Sequence, residues 1–134
     1  MNPPLRCIAL IDDSPADNFL HSLVIKRTGL ALHIEVFEEP ELALEAFRDG
    51  TSEAELVLLD INMPGMNGWE FLDEYNRLPP DRKQAEIVVM LTTSPNPADR
   101  ERAEQLGILK GFCEKPLTEE MCRRLVAEHF PDRG

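Results

Sequence analysis

An alternation constrains this chain most: short apolar runs are each followed by a stretch with helical periodicity, five times over. The runs fall at residues 7–11, about 32–37, 56–59, 87–91 and within 108–114. Cys7-Ile8-Ala9-Leu10-Ile11 is apolar on both faces, as a central strand of a parallel sheet must be. The second run carries His33 and Glu35 on one face, so it is expected at a sheet edge. Five βα units in succession predict an α/β fold with helices on both faces of a parallel sheet and right-handed crossovers.

Punctuation between the runs is consistent with five helices. Ser14 and Pro15 supply a cap and a first-turn proline, Phe19, Leu20, Leu23 and Val24 recur as a buried face, and Gly29 ends the helix. Leu42, Ala43, Ala46 and Phe47 mark a second amphipathic helix stopped by Gly50. A third, after Pro64, Gly65 and Gly68, carries Phe71, Leu72 and Tyr75 and is broken by Pro79-Pro80. Trp69, early in this helix, reads as a packing residue. Asn96-Pro97 opens a fourth helix, ending near Gly107, whose thin apolar face (Ala103, Leu106) leaves it largely solvated. Thr118 caps the last, which turns Met121, Cys122, Leu125 and Val126 to the core. With no linker or repeat, one domain is expected over residues 1–134, its core at about 6–130.

Charge and apolar run length narrow the function. Against 14 Lys+Arg stand 25 Asp+Glu, a formal net charge of -11 that repels a phosphate backbone, so nonspecific nucleic-acid binding is excluded. Apolar runs are too short to cross a bilayer, and no secretion signal follows Arg6. Cys7, Cys113 and Cys122 lack metal-ligand spacing and read as buried small hydrophobes in a reducing cytoplasm.

In open parallel sheets ligands bind outside the carboxyl ends of the strands. The predicted strand ends present Asp12-Asp13, Asp60, Thr92-Thr93-Ser94 and Glu114-Lys115-Pro116. Three neighbouring carboxylates repel unless a cation joins them or protons are taken up, and an all-oxygen set suits Mg²⁺. A lysine neutralises further negative charge and a hydroxyl bonds an extra oxygen, so the set suits an aspartyl phosphate. Each feature alone has an ordinary structural explanation; their convergence on one rim carries the inference. His21, His33 and His129 fall away from that rim and read as structural or surface residues.

Four motifs, Leu10-Ile11-Asp12-Asp13-Ser14, Leu58 through Gly68, Met90-Leu91-Thr92-Thr93-Ser94 and Cys113-Glu114-Lys115-Pro116, stand in the order and spacing of a known family. In them the chain resembles the receiver domain of two-component response regulators, the chemotaxis-type single-domain members included. The resemblance covers residues 6 to about 130. It implies the flavodoxin-like, doubly wound (βα)₅ fold with a five-stranded parallel sheet of order 2-1-3-4-5. It also implies that Asp60 is the phosphoacceptor, that Asp12 and Asp13 are the acidic pair holding Mg²⁺, and that Asn62 completes the protein ligands through its backbone carbonyl. Thr92 corresponds to the hydroxyl that bonds the phosphoryl group, Lys115 to the lysine that pairs with it, and Phe112 to the aromatic switch position. Pro116 often follows through a cis bond in this family.

The resemblance implies a switch rather than an enzyme. A sensor histidine kinase or phosphotransfer protein would phosphorylate Asp60, and a face made by helix four, strand five and helix five would engage a downstream protein. With no room for an output domain after Pro131, a stand-alone receiver is expected. Two departures stand out: Phe112 replaces the tyrosine of chemotaxis-type members, and Thr93 is bulkier than the residue frequent there. An aspartyl phosphohydrolase is the rival, but such enzymes commonly need an acid two residues after the nucleophile, where Asn62 stands. A phosphorylation-independent scaffold is a third possibility.

Overall fold

A computed structural model describes residues 4–61, 63–83, 85–91, 101, 105 and 109–133, with the backbone alone at 88–91, 109–114 and 133. Strands β1 (Leu5–Ile11), β2 (Ala31–Phe37), β3 (Leu56–Asp60), β4 (Glu86–Leu91) and β5 (Leu109–Glu114) form one sheet of order β2-β1-β3-β4-β5. Every pairing is parallel. The helices are α1 (Pro15–Thr28), α2 (Pro40–Asp49), α3 (Gly68–Asn76) and a C-terminal helix (Glu119–His129). The expected flavodoxin-like topology is thus observed. Of the predicted fourth helix, only Glu101 and Gln105 are described; both are helical and exposed.

Alternation along the central strands divides the core into two layers. Ala9, Ile11, Val57, Leu59 and Ile87 face Ala43, Leu44 and Phe47 of α2 and Phe71, Leu72 and Tyr75 of α3. On the other side Ile8, Leu10, Leu56 and Leu58 pack with Ile25 of α1 and with Cys122, Leu125 and Val126 of the C-terminal helix. A strand whose residues all find partners, odd ones above and even ones below, needs no polar face. Trp69 joins the α3 layer, as expected.

Local signals act where the sequence places them. Ser14 Oγ accepts from Asp17 N–H (3.2 Å) at the start of α1, and Thr118 Oγ1 accepts from Met121 N–H (3.1 Å) at the start of the C-terminal helix. Gly29 ends α1 at φ 66°, a left-handed conformation costly for a side chain. β2 lies at the edge, paired only with β1 among the described strands.

The buried face of α1 is a correction. Phe19 and Leu20 are 65% and 53% exposed, whereas Asn18, His21 and Ile25 are buried. Polar and charged residues are interleaved with the apolar ones around this helix, so periodicity alone does not fix which side is buried. On its buried side Asn18 Nδ2 donates to the backbone oxygen of Asp12 at 2.8 Å, and Ile25 packs into the core. In α2, likewise, Leu44 is buried while Leu42 is exposed. Cys7 and Cys122 are buried thiols, and burial, with the nearby Glu35 charge, pushes Cys7 up to about 12. No helix among the described residues is long and apolar enough to cross a membrane.

Candidate functional site

Strand order creates the site. The chain leaves β1 toward β2 on one side and returns to β3 on the other, so a crevice opens between the carboxyl ends of β1 and β3. Ile11 pairs with Leu59, which puts Asp12 and Asp60 next in register on neighbouring strands. Both are buried, at 4% and 3% exposure, while Asp13 is exposed at the same rim.

Asp12 is held at every polar atom. Its N–H donates to Phe37 O (3.1 Å), its carbonyl accepts from Asn18, Oδ1 accepts from Ser14 N–H (2.9 Å), and Oδ2 accepts from Lys115 Nζ (2.6 Å). Such a carboxylate is oriented before any ligand arrives. The segment after Asp60 is also fixed. Gly68 N–H donates to Ile61 O (2.9 Å), and Asn67 with Glu70 forms a reciprocal capping box at the start of α3.

Lys115 directly follows β5, two strands (about 10 Å) from β3, a span only a long side chain can bridge. The Lys115–Pro116 peptide bond is cis. Its ammonium lies 2.6 Å from Asp12 Oδ2, 2.9 Å from Asp17 Oδ2 and 3.5 Å from Asp60 Oδ1. Burial alone would lower this lysine. The hydrogen bonds to Asp12 and Asp17, with the charge of Asp60, outweigh it and hold the group above the ordinary lysine value, so it stays cationic.

Asp12, Asp13 and Asp60 each offer an oxygen, and the three lie within 4.8 Å of one another. Three hard anionic donors on two strand ends fit a small divalent cation such as Mg²⁺, which takes few protein ligands and keeps its waters. The structure therefore brings together Asp12, Asp13, Asp60 and Lys115 from three strand ends. Asn62 and Thr92, with Thr93 and Ser94, lie outside the described residues, and Phe112 is described only as backbone of β5.

Sequence reasoning missed two residues of this site. Asp17 bonds Lys115, and Asn18 ties α1 to Asp12. An acid in the first turn of a helix ordinarily reads as a partner of the helix dipole, so only the fold reveals that it meets a lysine 98 positions away. His21, expected away from the rim, is nearer to it than its position in the sequence suggests. It is buried one turn beyond Asn18, within electrostatic range of Lys115, Asp17 and Asp12; burial first, then Lys115, lowers its pKa.

Comparison with known proteins agrees with this geometry. The family model described as the response regulator receiver domain matches residues 8–127. The probable methanogenesis regulatory protein FilR2 of Methanothrix harundinacea is 33% identical over 125 residues, covering 90% of this chain and 79% of the relative. Response regulator Rcp1 of Synechocystis is 36% identical over 109 residues, 73% of this chain and 68% of that one. Among solved structures, a two-component response regulator from Cytophaga hutchinsonii superposes with a TM-score of 0.82 at 26% identity, covering 92% of this chain and 96% of its own. Fold, motifs and family model coincide over nearly the whole sequence, and the chain belongs to the response regulator receiver domain family of two-component signalling.

Proposed function

We propose that this receiver is a phosphorylation switch whose acceptor is Asp60. Receiver domains are signal-transduction phosphoacceptors that work with histidine kinases or phosphotransfer proteins and generally use Mg²⁺. One observation carries the assignment here: a 3%-exposed carboxylate at the end of β3, clustered with the oxygens of Asp12 and Asp13 and 3.5 Å from a lysine ammonium.

An Asp60 oxygen forms the new bond to phosphorus as the phosphorus–nitrogen bond of a phosphohistidine breaks, and the departing imidazole nitrogen takes a proton from solvent. Asp12, Asp13 and Asp60, with the backbone carbonyl of Asn62, would hold Mg²⁺, which when bound offsets negative charge on the transferring group. Lys115 supplies the remaining positive charge at the same rim. The acyl phosphate raises the charge at Asp60 from one negative to about two, where three carboxylates already meet one ammonium. Thr92 would bond the added oxygens, Phe112 would reorient beside β4, and the face of the predicted fourth helix, β5 and the C-terminal helix would change its affinity for a downstream protein.

Intact-mass measurement after incubation with acetyl phosphate and Mg²⁺ tests the acceptor. Wild type gains one phosphate; Asp60→Asn does not, and EDTA abolishes the gain. A phosphate gain retained by Asp60→Asn refutes the assignment. So does the absence of any gain both from acetyl phosphate and from a phosphorylated cognate kinase.

A further inference from the structure

Lys115 is closer to Asp17 than to the proposed acceptor. Hydrogen bonds from nitrogen to oxygen extend to about 3.2 Å. On that scale the ammonium is bonded to Asp12 (2.6 Å) and Asp17 (2.9 Å), whereas Asp60 at 3.5 Å meets it as a charge only. We propose that Asp17 is a positioning residue that draws Lys115 toward the mouth of the site in the phosphate-free protein, so that removing its charge strengthens the grip of Lys115 on a phosphoryl group at Asp60. The inference rests on Asp60 being the acceptor.

Burial separates the two bonds. The side chains of Lys115, Asp12 and Asp60 are 10%, 6% and 4% exposed, and that of Asp17 is 37% exposed. Asp17 therefore sits on the solvent side of the ammonium, where water readily replaces it as a partner of the lysine. The bond to Asp12 is desolvated and costly to break. Of the two bonds, the one to Asp17 is the one that gives way when a phosphoryl dianion draws the lysine inward.

Charge points the same way. Every carboxylate that shares this ammonium competes with an incoming phosphoryl group for it, and Asp17 is the only one of the three that the proposed metal and acceptor chemistry does not need. The cap of α1 does not depend on the Asp17 carboxylate, because Ser14 Oγ accepts from the backbone N–H of Asp17. An asparagine at this position keeps the volume and the cap and removes the charge.

Titration with beryllofluoride, a phosphoryl mimic, in saturating Mg²⁺ tests the restraint by calorimetry. Asp17→Asn is expected to bind at least threefold more tightly than wild type, with Asp17→Ala shifting in the same direction. Loss of structure lowers affinity, so a gain cannot arise from a damaged fold. Affinity of Asp17→Asn unchanged within twofold, or weakened, overturns the restraint while wild-type binding leaves the acceptor standing. No binding by wild type brings down the acceptor assignment and the restraint together.

Discussion

Gly68 opens α3 directly behind the acceptor segment, and its replacement by alanine links packing to the site. A Cβ there would lie 2.6 Å from Ile61 Cδ1, 2.7 Å from Ile61 Cα and 3.0 Å from the Asp60 carbonyl oxygen. The first contact involves the movable end of a side chain, but the other two involve backbone, and carbon atoms pack at about 3.5–4.0 Å. Relief requires α3 to retreat from β3 by something near 1 Å, straining the Gly68 N–H bond to Ile61 O. Overpacking of this kind costs about 1–3 kcal/mol, and the gain in helix propensity at a first-turn position recovers only part of it. With a urea m-value of about 2 kcal/mol/M, the midpoint should fall by about 0.5–1.5 M. Because the displaced atoms belong to Asp60 and Ile61, phosphate uptake from acetyl phosphate should also slow. Gly65→Ala is the control: nothing lies within 4 Å of its Cβ, yet φ is +78°, so its cost of about 1–2 kcal/mol is conformational. A Gly68→Ala midpoint within 0.2 M of wild type would refute the steric account.

Two further substitutions address the core and the rim. Tyr75 is 2% exposed, stacks on Phe71, and its hydroxyl accepts from Ala85 N–H (3.1 Å) and donates to Ala85 O (3.4 Å). Tyr75→Phe should therefore lower stability by about 1–2 kcal/mol in urea melts while leaving acetyl-phosphate uptake unchanged. His21 titrates below its ordinary value of 6.5 in the folded chain, through burial and then Lys115. The unfolded chain consequently binds the proton first as pH falls through that value. The stabilising contribution is present above it and is lost on acidification. His21→Gln should flatten the decline in urea midpoint between about pH 7.5 and 5.5, and an unaltered slope would exclude His21 as its source.

Much of this protein was legible in one dimension because its signals are local or periodic. Continuous apolar runs can be satisfied only between two helical layers, so β1 and β3 declared a buried parallel sheet. Ser14, Thr118 and Gly29 act within a few residues of themselves, and their caps appear where their chemistry requires. The convergence of Asp12, Asp13, Asp60 and Lys115 followed from strand ends sharing one rim.

The contacts that no period encodes were settled by tertiary structure. Polar and apolar residues are interleaved around α1, and sequence spacing assigned Phe19 and Leu20 to the core with Leu23 and Val24. In the fold Phe19 and Leu20 face solvent, while Asn18 (bonded to Asp12), His21 and Ile25 lie on the buried side. The meeting of Asp17 with Lys115 depends on the fold bringing the start of α1 beside the segment after β5, in the layer that α1 shares with the C-terminal helix. Residue type and spacing determined the sheet and the chemistry at its rim, since burial and strand-end placement repeat along the chain. Helix rotation and the sharing of one ammonium among three carboxylates were decided only by the fold, because both are set by distances between residues that sequence order does not relate.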